Sequence, residues 1–302
     1  MKLGYNTNGL AHHRFADAVA LLADNGYGAV AITPDVNWLD PYQDAVSLNQ
    51  QLKETVKTLE RFEMQCVMES GARYLINPCK KHDPTLMDAD GQRRGLRIDY
   101  LKRLFMMAAE CNATCFSFWA GRLDEQISQE QADQRLADGI CEVLPLAEKL
   151  RVPIAFEPEP GMYIQTLDDF RRLDRLIQNG WFQLTVDLGH LHCLGEEPIA
   201  VKIREFESSI INIHIEDMKP GVHEHLMFGE GTMDFQPIIQ ALHEINYPFA
   251  LCVELSRDSH RADQVVPKAA DFLNRMIGRN KSSESNQLSS GSGPKSCSSL
   301  RS

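Results

Sequence analysis

The chain has 302 residues, 43% hydrophobic and 24% charged, ordinary proportions for a globular protein with length for one large domain or two medium ones. Its 42 acidic and 31 basic residues leave a formal charge of −11, which disfavours broad phosphate-backbone binding, so no nucleic-acid partner is expected. No run of about 20 apolar residues occurs, so no membrane span is expected, and Met1-Lys2-Leu3-Gly4-Tyr5 enters an apolar strand with no signal-peptide pattern, which points to the cytoplasm.

Short apolar runs near residues 2–6, 28–33, 64–69, 114–119, 152–157, 183–187, 210–215 and 249–254 read as strands. Segments of helical periodicity lie between them. The first helix opens at Phe15-Ala16-Asp17-Ala18 and closes at Gly26, where a C-terminal glycine is expected. Residues 46–62 repeat apolar side chains at Val46, Leu52, Val56, Leu59 and Phe62, and Tyr100 to Met107 opens another amphipathic stretch. Residues 128–150, 167–179, 197–206, 235–245 and 261–277 complete the series, with Asp234 placed to cap the 235–245 helix. Eight strands alternating with eight helices predict an α/β fold, a single (β/α)8 TIM barrel over residues 1–278. No GxGxxG turn follows the first strand, which counts against an open doubly wound sheet.

Two long connections fall where an upper rim belongs. Residues 70–95, with Asn77-Pro78, Asp83-Pro84 and Asp90-Gly91, are polar and turn-rich, and residues 216–233 form a second rim loop. Residues 279–302 are rich in Ser, Gly and Asn and read as a disordered tail. Eight cysteines are scattered without a CxxC pair; Cys66, Cys115 and Cys252 lie in or beside apolar runs and read as reduced core residues.

Four apolar runs in the second half end in a side chain that can bind a metal. They close on Glu157, Asp187, His214 and Glu254, each about one strand–helix unit from the next. In a barrel those strands would deliver three carboxylates and an imidazole to one rim, where a single divalent cation could sit. Each residue also has a plainer reading, as a rim ion pair or a satisfied core histidine. Glu159 shares the direction of Glu157 if the strand continues, and would touch substrate or support the site. His190 is three residues past Asp187 and is a substrate contact or a ligand, whereas His192 reads as structural. His223 and His225 could join the site or be ordinary loop residues. Arg257 is either a substrate clamp or a surface ion pair. Trp119, at the end of the fourth apolar run, could present an aromatic wall to a substrate.

These residues carry a resemblance to the xylose-isomerase-like barrel superfamily, which includes sugar isomerases, sugar 3-epimerases, inosose dehydratases, hydroxypyruvate isomerases and AP endonucleases. The matching pieces are the Glu157 strand, Val186-Asp187-Leu188-Gly189-His190, Ile213-His214-Ile215-Glu216-Asp217, His225 with Gly229-Glu230-Gly231-Thr232-Met233-Asp234-Phe235, and Val253-Glu254-Leu255. The resemblance implies one Mn2+, Mg2+, Co2+ or Zn2+ held by Glu157, Asp187, His214 and Glu254. It implies Glu157 and Glu254 as the catalytic acid and base, a sugar-like substrate against His190, and a homodimer or homotetramer. The expected activity is isomerisation or epimerisation through an enediolate. An inosose-type dehydratase, an AP-endonuclease-like phosphodiesterase and a non-catalytic sugar-binding barrel are the alternatives. Gly71 and Trp119 stand where the endonuclease branch has metal-binding histidines, which argues against a three-zinc cluster.

Overall fold

The computed structural model describes residues 1–289; residues 290–302, most of the stretch read as a tail, lie outside the described residues. Eight parallel strands close into a barrel: β1 (Lys2–Asn6), β2 (Ala29–Ile32), β3 (Gln65–Glu69), β4 (Phe116–Phe118), β5 (Ile154–Phe156), β6 (Phe182–Asp187), β7 (Ile210–Ile215) and, after a hairpin of β8 (Asp217–Lys219) and β9 (Val222–Leu226), β10 (Ala250–Val253). The last strand pairs with both β7 and β1, which completes the ring. The expected (β/α)8 TIM barrel is therefore the fold.

Helices α1 (Phe15–Asp24), α2 (Ala45–Arg61), α3 (Gly91–Glu110), α4 (Gln129–Cys141), α5 (Leu144–Leu150), α6 (Leu167–Ile177), α7 (Leu188–Leu194), α8 (Ile199–Glu205), α9 (Phe235–Glu244) and α10 (Ala262–Ser289) connect and surround the strands. Among the described residues none of them is long and apolar enough to cross a membrane. Several carry their own start signals. Ser128 and Gln131 form a reciprocal capping box on α4, Thr166 and Asp169 another on α6, and Asp234 caps α9 as expected.

Three departures from the sequence reading have local causes. The segment 128–150 is two helices, because Pro145 supplies no N–H to an ongoing ladder and restarts the chain as the first turn of α5. The segment after Asp187, given no element by the sequence pattern, is the short helix α7. The rim stretch 216–233 contains the antiparallel β8–β9 hairpin, turned at Pro220-Gly221, where Gly221 takes φ +72°.

Alternation along each strand divides the core in two. Outward residues such as Tyr5, Val30, Met68, Phe116, Phe156 and Leu184 pack with the helices into the main hydrophobic core. The lumen is filled low down by small side chains, Ala29, Ala31, Val67, Cys115, Ala155, Ala250 and Cys252. One step further along the same face come Glu69, Ser117, Glu157 and Glu254. The barrel thus changes from apolar to polar toward the carboxyl ends of its strands. All seven cysteines among the described residues are free, with Cys66, Cys115 and Cys252 buried.

Candidate metal centre

The lumen face brings together all four residues expected to bind a cation. Glu157, Asp187, His214 and Glu254 each offer a ligand atom, and these atoms lie within 4.8 Å of one another. His214 is the hub. Its Nδ1 stands 3.0 Å from Glu254 Oε2, 3.1 Å from Glu157 Oε1 and 3.9 Å from Asp187 Oδ2. Asn8 steadies the far oxygen of Glu254, donating from Nδ2 at 2.7 Å. Asp187 is divided between two tasks: Oδ1 accepts the His190 main-chain N–H at the start of α7, and Oδ2 is buried without a hydrogen-bond partner among the described residues. A buried carboxylate oxygen with no donor is costly unless a cation meets it. Three oxygens and one imidazole nitrogen suit Mg2+, Mn2+, Co2+ or Zn2+.

Electrostatics agrees with a site built around positive charge. Burial pushes the Glu157 carboxyl up to about 7 against the pull of His214. Burial also opposes ionisation of Glu254 and Asp187, yet both are held below the usual carboxylate range, Glu254 chiefly by His214 and Asp187 chiefly by His190. His214 is raised well above an ordinary histidine, because Glu69, Glu157 and Glu254 outweigh its desolvation. His214 thus carries positive charge among these carboxylates.

Glu157, His214 and Glu254 line a cavity of about 550 Å³ that opens to solvent, and Asp187 lies buried behind it. His190, His225, Glu159, Trp119 and Arg257 also line it. His190 is buried, which drives its pKa down to about 4, with Nε2 3.5 Å from Asp187 Oδ2. The strand does not continue past Phe156, but Glu159 still reaches the cavity, and burial followed by Glu157 raises its carboxyl to about 8. Trp119 forms a wall, backed by the Arg97 guanidinium 4.8 Å from its ring and by the edge-on ring of His82. Arg257 lies at the mouth, where its Nη1 donates to Glu224 Oε1 at 2.7 Å. His192 is structural as read, held between Glu197 and Thr232.

The β8–β9 hairpin folds His223 and His225, two residues apart on one strand, toward His190. The three imidazoles form a second group able to take an ion, and Asp187, Glu216 and His225 form a third. His225 is raised to about 10, since Glu254 and Glu216 overcome its burial.

The structure adds residues that sequence reasoning passed over. Glu69 ends β3 and accepts from His214 Nε2 at 3.0 Å and from Asn212 Nδ2 at 3.2 Å. Its signal was present: Cys66-Val67-Met68-Glu69 is a fifth apolar run closing on a carboxylate. Glu216 is fully buried, and burial raises its pKa well above the ordinary value. Asp217 is structural, accepting from the main chain of Met218, Gly229 and Met233 and so clamping the rim loop. Gly231 lies so close to Asp217 that a Cβ there would overlap the carboxylate.

Comparison with known proteins bears on the same region. A family model described as xylose isomerase-like TIM barrel matches residues 19–276. The L-ribulose-5-phosphate 3-epimerase UlaE of Escherichia coli O139:H28 is 21% identical over 258 residues, covering 80% of this chain and 90% of the relative. Among solved structures, the IOLI protein with a bound zinc atom superposes with a TM-score of 0.74 at 16% identity, covering 92% of this chain and 99% of that one. The D-psicose 3-epimerase of Clostridium cellulolyticum H10 with D-tagatose gives 0.73 at 16% identity, with coverage of 92% and 99%. At these identities the structural likeness speaks for the fold.

Proposed function

Because the chain belongs to the xylose isomerase-like TIM-barrel family, we propose that it is a divalent-metal-dependent isomerase or epimerase acting on a sugar or related polyhydroxy carbonyl compound. The convergence of Glu157, Asp187, His214 and Glu254 around an unpartnered carboxylate oxygen carries this reading. Relatives and neighbours that act on ketose sugars support the substrate class. When bound, the ion would supply positive charge against which a substrate carbonyl and an adjacent hydroxyl are polarised.

The residues divide the remaining work. Two carboxylates in unlike surroundings can hold unlike protonation states. One of Glu254 and Glu157 removes the proton from the carbon beside the carbonyl, and the other, or the same one, returns it. The unpartnered ring nitrogens of His190, His223 and His225 are available to substrate hydroxyls, and Trp119 closes one side against a sugar ring.

The test is solvent deuterium uptake into a panel of ketoses, keto-inositols and hydroxypyruvate. Exchange beside the carbonyl is expected, stopped by chelation and restored by Mn2+, Mg2+, Co2+ or Zn2+. A metal-loaded protein that exchanges none of the panel would count against the reading.

A further inference from the structure

We infer that Glu69 is a positioning residue of the metal centre: it holds the ring of His214 in the tautomer that presents Nδ1 to the ion. The inference rests on the metal-centre reading above. An imidazole that binds a metal through one nitrogen must carry its proton on the other, and that N–H needs an acceptor to fix the ring. Nδ1 of His214 faces the three candidate carboxylate ligands, so the proton belongs on Nε2. The acceptor standing there is Glu69 Oε1, at 3.0 Å.

The neighbouring groups make Glu69 decisive. The other polar atom beside Nε2 is the amide nitrogen of Asn212, 3.2 Å away. That amide's two hydrogens go to Glu69 Oε1 and Thr185 Oγ1, so removing Glu69 frees one of them to turn toward Nε2. Without Glu69, Nε2 would face a donor, which favours the opposite tautomer and aims an N–H at the metal ligands. Thr185 is held in turn by Ser117 and by the Ala155 carbonyl, so a polar chain from β4, β6 and β7 fixes Asn212 and its partner.

Glu69 does not belong to the group of converging ligand atoms and therefore acts through His214. Its own burial, at 7% exposure, is offset by the two donors it receives. β3 and β7 are not neighbours in the barrel, so this bond spans the lumen. A side chain of another length on β3 could not reach Nε2 without moving the strand.

The experiment compares wild type, Glu69→Gln and Glu69→Leu. Zinc affinity is read by competition with a chromophoric chelator. The His214 tautomer is read from ring 1H–15N correlations in zinc-loaded, histidine-labelled protein. Wild type should show a protonated Nε2. Glu69→Leu should bind zinc about 10–100-fold more weakly and lose that signature. Glu69→Gln is nearly isosteric and its amide oxygen can still accept, so it should retain the signature and fall between the two. Wild-type affinity together with an unchanged tautomer in Glu69→Leu overturns the assignment of Glu69 alone, and if that variant fails to fold, wild-type zinc affinity in Glu69→Gln overturns it. A wild-type protein that takes up no ion overturns the metal centre as well.

Discussion

Asp187 grips the main-chain N–H of His190 at 2.9 Å with one carboxylate oxygen and leaves the other buried beside His214 without a hydrogen-bond partner. The first oxygen starts α7 and sets where the His190 ring stands; the second faces the candidate ion. Structure and chemistry can therefore be separated by substitution. Asp187→Asn keeps an acceptor for the His190 N–H but removes the charge, so metal content should collapse while the melting temperature stays near wild type. Asp187→Ala should lose the metal and also about 0.5–2 kcal/mol of stability, the worth of a helix cap. Metal analysis with thermal melts checks both, and full metal content in Asp187→Asn would remove Asp187 from the ligand set.

Glu254→Gln tests the proton-transfer assignment. A Gln at this position can still accept from Asn8, so the local packing is kept. Removing a positioned general base typically costs 10²–10⁴-fold. Solvent deuterium exchange into an accepted ketose should fall by that order while the variant still binds metal partly. Exchange within about tenfold of wild type would move the role to another group.

Much of this site was legible before any fold was known, for a simple reason. A barrel strand alternates between helices and lumen, so an apolar run that closes on Glu157, Asp187, His214 or Glu254 places a polar group at the rim. The same reasoning covers Glu69 at the end of β3. Glu216 shares the face of His214, but its burial depends on α7, well before it in the chain, and on the hairpin folding His225 back over it. The hairpin itself left only the Pro220-Gly221 turn as a local sign, because His223, Glu224 and His225 do not alternate as a half-buried strand should.

Proton competition should govern metal uptake. In the free site Glu157 holds a proton up to about pH 7, and His214 is raised well above 6.5. Both lie above the ordinary values, so acid strengthens the competitor and weakens the metal. Affinity should rise with pH through neutrality, about tenfold per unit for each proton displaced. Titration in buffers of different ionisation enthalpy counts the protons released. An affinity flat across neutrality would mean that the ion binds elsewhere.

The cluster of His190, His223 and His225 calls for a stoichiometry. With these imidazoles serving substrate hydroxyls, the protein should hold one equivalent of metal, and His223→Ala and His225→Ala should leave that number unchanged while raising the KM for a sugar substrate. Elemental analysis of gel-filtered protein decides the matter. Two equivalents in wild type, falling to one in His223→Ala, would make the histidines ligands of a second ion.

Gly189 ties the start of α7 to the buried carboxylate of Glu216. A Cβ at this position would overlap Glu216 Oε1 and come within 2.8 Å of Met218 Cε. Replacing a helical glycine by alanine ordinarily stabilises, by about 0.5–1 kcal/mol. Here the sign should reverse. Glu216 is fully buried and Met218 packs in the core, so neither can yield without disturbing Asp187 or the hairpin. Overpacking of this kind costs about 1–3 kcal/mol. Gly189→Ala should therefore lower the melting temperature and, by displacing Glu216 toward Asp187, weaken metal binding as well. An unchanged or raised melting temperature would show that the carboxylate has room to move, and that the tight contact between α7 and Glu216 is not what holds Asp187 in place.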